Sequence, residues 1–242
     1  MQAVWDRWGA LEVVLVPPAD QRPPEWMAVF CHGYGAPGTD LVGLADILQA
    51  GWEARGESVL LAFPAAPIRL DALGMPGGRA WWEINMNQLL QLAAADSFEA
   101  LADTEPPGMD QAATVLTEQI EANLKRLGLS PQQLILGGFS QGAMLTVDVA
   151  LRRLSEPPAG LAIYSGALIC RPAWEAAAAR LQSSAILQSH GRQDPILPIS
   201  TGRALHRLLI EGGNNFPMLE FQGPHTIPMQ ALEQTLDLIP SA

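Results

Sequence analysis

Short apolar runs alternate with amphipathic stretches along most of this chain. Residues 11–16 and 26–31 read as strands, the first ended by Pro17-Pro18. The link between them is short and proline-rich, which suits antiparallel neighbours, since a parallel crossover takes a dozen residues or more. Residues 57–63 make a strand apolar enough to be buried on both faces. Further strands fall at 133–139, 161–165, 184–189 and 217–221. Helical periodicity occupies 40–52, 109–127, 141–154, 172–181 and 201–210, and a last helix runs to about residue 239. In the 109–127 segment Leu116, Ile120, Leu124 and Leu127 share one face, Lys125 and Arg126 fall in the last turn, and Gly128 follows its end. The 141–154 segment is apolar on nearly every side, which predicts a central, buried helix.

This alternation predicts an α/β protein with a mostly parallel sheet of about seven strands, the first antiparallel, and helices on both faces. No linker, repeat or low-complexity tract divides residues 1–242, so the expectation is a single domain. Two stretches stay outside the pattern. Residues 1–9 carry Trp5 and Trp8 without readable periodicity. Residues 70–108 are irregular, with Gly74, Gly77, Gly78, the Trp81-Trp82 pair and a short helix predicted at 85–94. A compact domain carries so long an irregular stretch chiefly as a lid or binding wall.

Composition narrows the partners. Net charge is −11, with one lysine and arginines that do not cluster, so nucleic acid and anionic lipid are excluded as partners. Cys31 and Cys170 have neither metal-ligand nor disulfide-framework spacing, which points to a reduced, cytoplasmic setting. No stretch reaches about 18 apolar residues, so stable membrane insertion is not expected.

The chemistry gathers at Gly138-Phe139-Ser140-Gln141-Gly142, between the predicted strand 133–139 and the apolar helix. In strand-turn-helix context this spacing is a nucleophile elbow. The turn strains the serine backbone, and flanking glycines let strand and helix pass closely. A serine hydroxyl needs a base, and the base needs an orienting carboxylate. Parallel sheets collect such groups beyond the carboxyl ends of their strands. Asp194, in His190-Gly191-Arg192-Gln193-Asp194-Pro195, and His225, after Gln222-Gly223-Pro224, both lie there. The competitors fit less well. His32 and His190 precede glycines at strand ends and read as loop structure, while His206 reads as a solvated mid-helix residue. Asp148 should point away from the serine, and Asp237 follows His225, in the wrong chain order. The glycine-rich loop His32-Gly33-Tyr34-Gly35 lacks the lysine and serine of a phosphate loop, and can instead offer an N–H to an oxyanion.

Four segments carry a resemblance: His32-Gly33-Tyr34-Gly35, Phe63-Pro64-Ala65-Ala66-Pro67, Gly137 to Gly142, and His190 to Pro198. Together they resemble the phospholipase/carboxylesterase family of the α/β-hydrolase superfamily, which includes the acyl-protein thioesterases. The resemblance implies an α/β-hydrolase fold and a serine hydrolase of carboxylic esters or thioesters, acting through an acyl-enzyme with neither metal nor cofactor. It implies Ser140 as nucleophile, Asp194 orienting His225, and the backbone N–H groups of Tyr34 and Gln141 as the oxyanion hole. The chain departs from the family pattern at Gly77 to Glu83 and at Pro224, which stands between Gly223 and His225. Met75, Trp81 and Trp82, with Ile84, Met86, Leu89 and Leu90, are candidate contacts for an acyl chain, since methionine and broad aromatic faces suit a loose apolar ligand. Tryptophans that merely pack this segment on the sheet are the competing reading. A non-catalytic binding protein on a hydrolase scaffold is the alternative function, disfavoured because binding needs none of the three catalytic groups. The expected partner is a small ester or acyl substrate, and the expected assembly a monomer or homodimer.

Overall fold

The computed structural model describes residues 3–85, 87, 91 and 99–240. Its strands are β1 (Val4–Trp8), β2 (Leu11–Val16), β3 (Trp26–Cys31), β4 (Val59–Pro64), β5 (Ile68–Arg69), β6 (Arg79–Ala80), β7 (Leu134–Phe139), β8 (Gly160–Tyr164), β9 (Ala185–Gly191) and β10 (Met218–Phe221). Eight of them form one sheet in the order β1-β2-β4-β3-β7-β8-β9-β10, and β5 pairs with β6 apart from it. All pairings from β4 to β10 are parallel, while β2 runs antiparallel to both its neighbours. The mostly parallel sheet and its antiparallel member are as expected.

Two details differ. The sheet has eight strands because residues 4–8, which had no readable pattern, pair with β2 as a hairpin. On this outer strand only Trp8 faces the core, so no run of buried positions marks it. The partner of β2 is β4, not β3. Strands lie about 4.8 Å apart, so the 17–25 link can step over the space that β4 later fills.

The main helices are α1 (Ala45–Glu53), α2 (Met109–Leu127), α3 (Gln141–Asp148), α4 (Arg171–Ala177), α5 (Ile199–Glu211) and α6 (Met229–Thr235). Strand alternation explains how they are shared out. In β3, Met27, Val29 and Cys31 join a core built with Leu116 and Ile120 of α2, Leu145 of α3, Trp174 of α4 and Leu205 of α5. Ala28 and Phe30 point the other way, into a core with Leu48 and Trp52 of α1 and Leu232 of α6. Every residue of α3 is buried. A widened π-helical turn, Val149–Arg153, continues it. That turn brings Arg152 Nη1 and Arg153 Nε to Asp148 at 2.8 and 3.0 Å. Among the described residues no helix is long and apolar enough to cross a membrane.

Candidate active site

β7 ends at Phe139, and Ser140 turns the chain into α3 with φ 56° and ψ −116°, a conformation L-residues rarely adopt. Close contacts impose it. A Cβ on Gly142 would lie 2.0 Å from the Cys31 carbonyl oxygen, and one on Gly138 would lie 2.4 Å from the backbone of Gly142. Only glycine lets the three backbones converge. The Ser140 N–H donates to Tyr164 O at 2.9 Å, which ties the turn to the end of β8.

Asp194 lies on the loop after β9 and His225 on the loop after β10. Arg192 N–H donates to Phe221 O at 2.9 Å and Gln193 N–H to Gly223 O at 3.0 Å, so the two loops travel together. Asp194 Oδ2 is 2.5 Å from His225 Nδ1. Its Oδ1 accepts the N–H groups of Ile196 and Leu197, each at 2.9 Å. Burial penalises the charge on Asp194, but His225 and these two N–H donors outweigh it and hold the carboxyl below its ordinary pKa. The His225 ring packs against Phe139, the residue before the serine, at 4.6 Å between centroids. Pro224 therefore does not keep His225 from reaching Asp194 or the elbow.

Ser140 and His225 line one cavity of about 1150 Å³. Trp82, Ile84, Leu101, Met144, Leu168 and Ile169 supply much of its apolar wall, and Asp40 and Glu83 also line it. Tyr34, on the loop after β3, lines it as well. Among the described residues the backbone N–H groups of Tyr34 and Gln141 have no protein acceptor.

The other candidate side chains separate. Trp82 is on the cavity wall. Trp81, buried to the same 2% exposure as Trp82, is off that wall, with its Nε1 donating to His32 O at 2.9 Å. Met75 is half-buried beside Gly35 and is not among the residues lining the cavity. Met86, Leu89 and Leu90, with most of the helix predicted at 85–94, lie outside the described residues.

His32 and His190 are structural, though more deeply placed than loop residues. His32 Nε2 accepts the Ala66 N–H at 3.0 Å, so its Nδ1 carries the proton given to Gly33 O at 2.8 Å. His190 is fully buried, with Nε2 2.7 Å from Leu197 O. Burial lowers the pKa of both. His206 is half-buried rather than fully solvated: its Nε2 lies 3.0 Å from Phe216 O, on the loop after α5. Asp148 is occupied by Arg152, Arg153 and Trp174, and Asp237 pairs with Arg55.

A family model described as phospholipase/carboxylesterase matches residues 14–241. The chain belongs to this family. It is 26% identical over 225 residues to acyl-protein thioesterase 1 of Eremothecium gossypii, covering 91% of this chain and 89% of that one. With acyl-protein thioesterase 1 of Kluyveromyces lactis it shares 30% identity over 186 residues, covering 75% of each. Among solved structures it is similar to esterase PE8, at 25% identity and a TM-score of 0.73, covering 98% of this chain and 97% of that one. A carboxylesterase from Mesorhizobium loti has the same fold, with a TM-score of 0.75 at 17% identity and full coverage of both chains. Like its family, the chain is a hydrolase of carboxylic esters or thioesters.

Proposed function

We propose that this hydrolase works through an acyl-enzyme on Ser140, with His225 as general base and Asp194 as the group that orients and stabilises it. The observation that carries this reading is the 2.5 Å Asp194–His225 contact, made by a histidine that shares its cavity with the elbow serine. Ser140 Oγ attacks the acyl carbon as its proton passes to His225 Nε2. The oxygen that gains charge is met by the N–H groups of Tyr34 and Gln141. Collapse expels an alcohol or thiol, which takes the proton from His225. Water then attacks the acyl-serine and passes its proton to His225, which returns it to Ser140 Oγ as the bond to the acyl carbon breaks, releasing the carboxylic acid and the free serine.

The apolar wall of Trp82, Ile84, Met144 and Leu168 supports a fatty acyl group on the acid side of the bond. On this reading residues 1–242 act as one catalytic domain, with 70–108 contributing its substrate wall. Two buried free cysteines suit a reducing compartment, and the cytoplasm is the proposed location, with the chain as a monomer or homodimer.

Ser140→Ala should lower ester hydrolysis by roughly 10⁴-fold or more and abolish covalent labelling by a fluorophosphonate, with folding intact. Residual activity within tenfold of wild type would remove Ser140 from the mechanism.

A further inference from the structure

Gln141 is fully buried although it directly follows the proposed nucleophile. Its carboxamide is turned away from the cavity and onto the backbone of residues 81 and 82. Trp81 N–H donates to Oε1 at 3.0 Å, and Nε2 donates to Trp82 O at 2.8 Å. These bonds bridge about 60 residues of sequence, and together they take up one donor and one acceptor of a chain segment that would otherwise leave them buried and unpaired.

The same segment is bound to the other side of the site. Gly35 N–H donates to Arg79 O at 2.9 Å, and Arg79 N–H donates to Ala36 O at 3.1 Å, so residue 79 pairs with the Tyr34 loop as a neighbouring strand would. Gly78 lies against this loop too closely for a side chain, since a Cβ there would be 2.7 Å from Gly35 O. The Trp81 indole adds its bond to His32 O. Residues 79–82 thus form a strap with one end on the loop that carries the Tyr34 N–H and the other on the side chain of Gln141. At the end of that strap, Trp82 stands on the cavity wall.

We propose that the Gln141 side chain is a positioning group for the hydrolysis. By clamping the strap it fixes the separation of the Tyr34 and Gln141 N–H groups, so both are aimed before charge develops on the substrate oxygen. This inference rests on the oxyanion role assigned above. Preorganised donors act only if their geometry is set in advance, and a displacement of about 1 Å can cost up to roughly 100-fold in rate.

Gln141→Met keeps the length of the side chain and the backbone N–H of residue 141, and deletes only the clamp. On p-nitrophenyl acetate it should lower kcat by about 10- to 100-fold, with KM changed less than about threefold. A trifluoromethyl ketone, which forms the tetrahedral oxyanion on serine, should lose affinity in the same proportion. A purely structural role would lower Tm and leave kcat and ketone affinity of the folded fraction unchanged. Gln141→Asn shortens the carboxamide by one methylene so that it cannot hold both Trp81 N–H and Trp82 O, and it guards against a Gln141→Met protein that does not fold. It should lower kcat in the same sense. If every folded variant keeps kcat and ketone affinity within twofold of wild type while Ser140→Ala is inactive, the clamp is overturned and the acyl-enzyme reading survives. If Ser140→Ala is active, both fall.

Discussion

Asp194 divides its two oxygens between two tasks. Oδ1 is held by the Ile196 and Leu197 N–H groups, which leaves Oδ2 aimed at His225. An amide at 194 would keep its oxygen on those two donors and turn its NH₂ toward His225 Nδ1. That nitrogen would have to accept, and the ring proton would move to Nε2, which in the proposed mechanism receives the serine proton. Asp194→Asn should therefore drop kcat by about 10⁴-fold while Tm stays near that of wild type. An active Asp194→Asn enzyme would mean that another group holds the ring. The proposed set Ser140, Asp194 and His225 could be picked out in the sequence because each follows a strand and sits among turn-forming glycines or prolines, at the sheet edge where loops converge. The side chain of Gln141 was not. Its partners are backbone atoms of Trp81 and Trp82, far away along the chain, and neither residue's type advertises a free N–H or C=O. His206 was misread for the same reason, since its acceptor is the carbonyl of Phe216 on a returning loop.

Elements with strong periodicity were legible almost to the residue. The predicted 109–127 helix is α2, Met109–Leu127, because an apolar face, a basic last turn and Gly128 all agree on its ends. The β1–β2 hairpin was not, since an outer strand buries only Trp8 and shows four exposed positions in a row. Sheet order was hidden too. The neighbour of β2 depends on where β4 inserts, and no local pattern encodes that. The 70–108 stretch stood out by its lack of period, but that could not tell its two tryptophans apart. Both are buried, but Trp82 lines the cavity and Trp81 instead donates its indole N–H to His32 O. A buried methylene contributes about 0.8 kcal/mol, so kcat/KM for p-nitrophenyl esters should climb severalfold per two carbons until the cavity is full. Trp82→Leu should reduce the rate on decanoate roughly tenfold more than the rate on acetate. Equal losses at every chain length would mean that Trp82 does not contact the acyl group.

Across the molecule, two buried histidines link stability to pH. His32 lies beside the elbow on the loop after β3, and His190 lies near the end of β9. Burial lowers the pKa of each in the folded chain. Unfolded, both titrate near 6.5, so below about pH 6.5 the unfolded chain takes up protons that the folded chain refuses. Their contribution to stability is complete above that pH and is lost as pH falls toward the folded pKa values. Each can contribute a slope of up to about 1.4 kcal/mol per pH unit in that window. Asp194, also depressed, adds a further loss only below about pH 4. The urea midpoint should be level from pH 9 to about 7.5 and fall between 6.5 and 5. A level profile down to pH 5 would contradict neutral burial of the two rings.

The contacts of Gln141 with the strap have an evolutionary corollary. They are made to the N–H of residue 81 and the C=O of residue 82, and every amino acid except proline carries both groups. The two bonds therefore set no requirement on the side chain at 82, whose limits are those of core packing. A lineage that replaces tryptophan there with another bulky apolar residue can exchange one acyl preference for another while both Gln141 bonds remain. Diversification of substrate is in this way uncoupled from conservation of the catalytic frame.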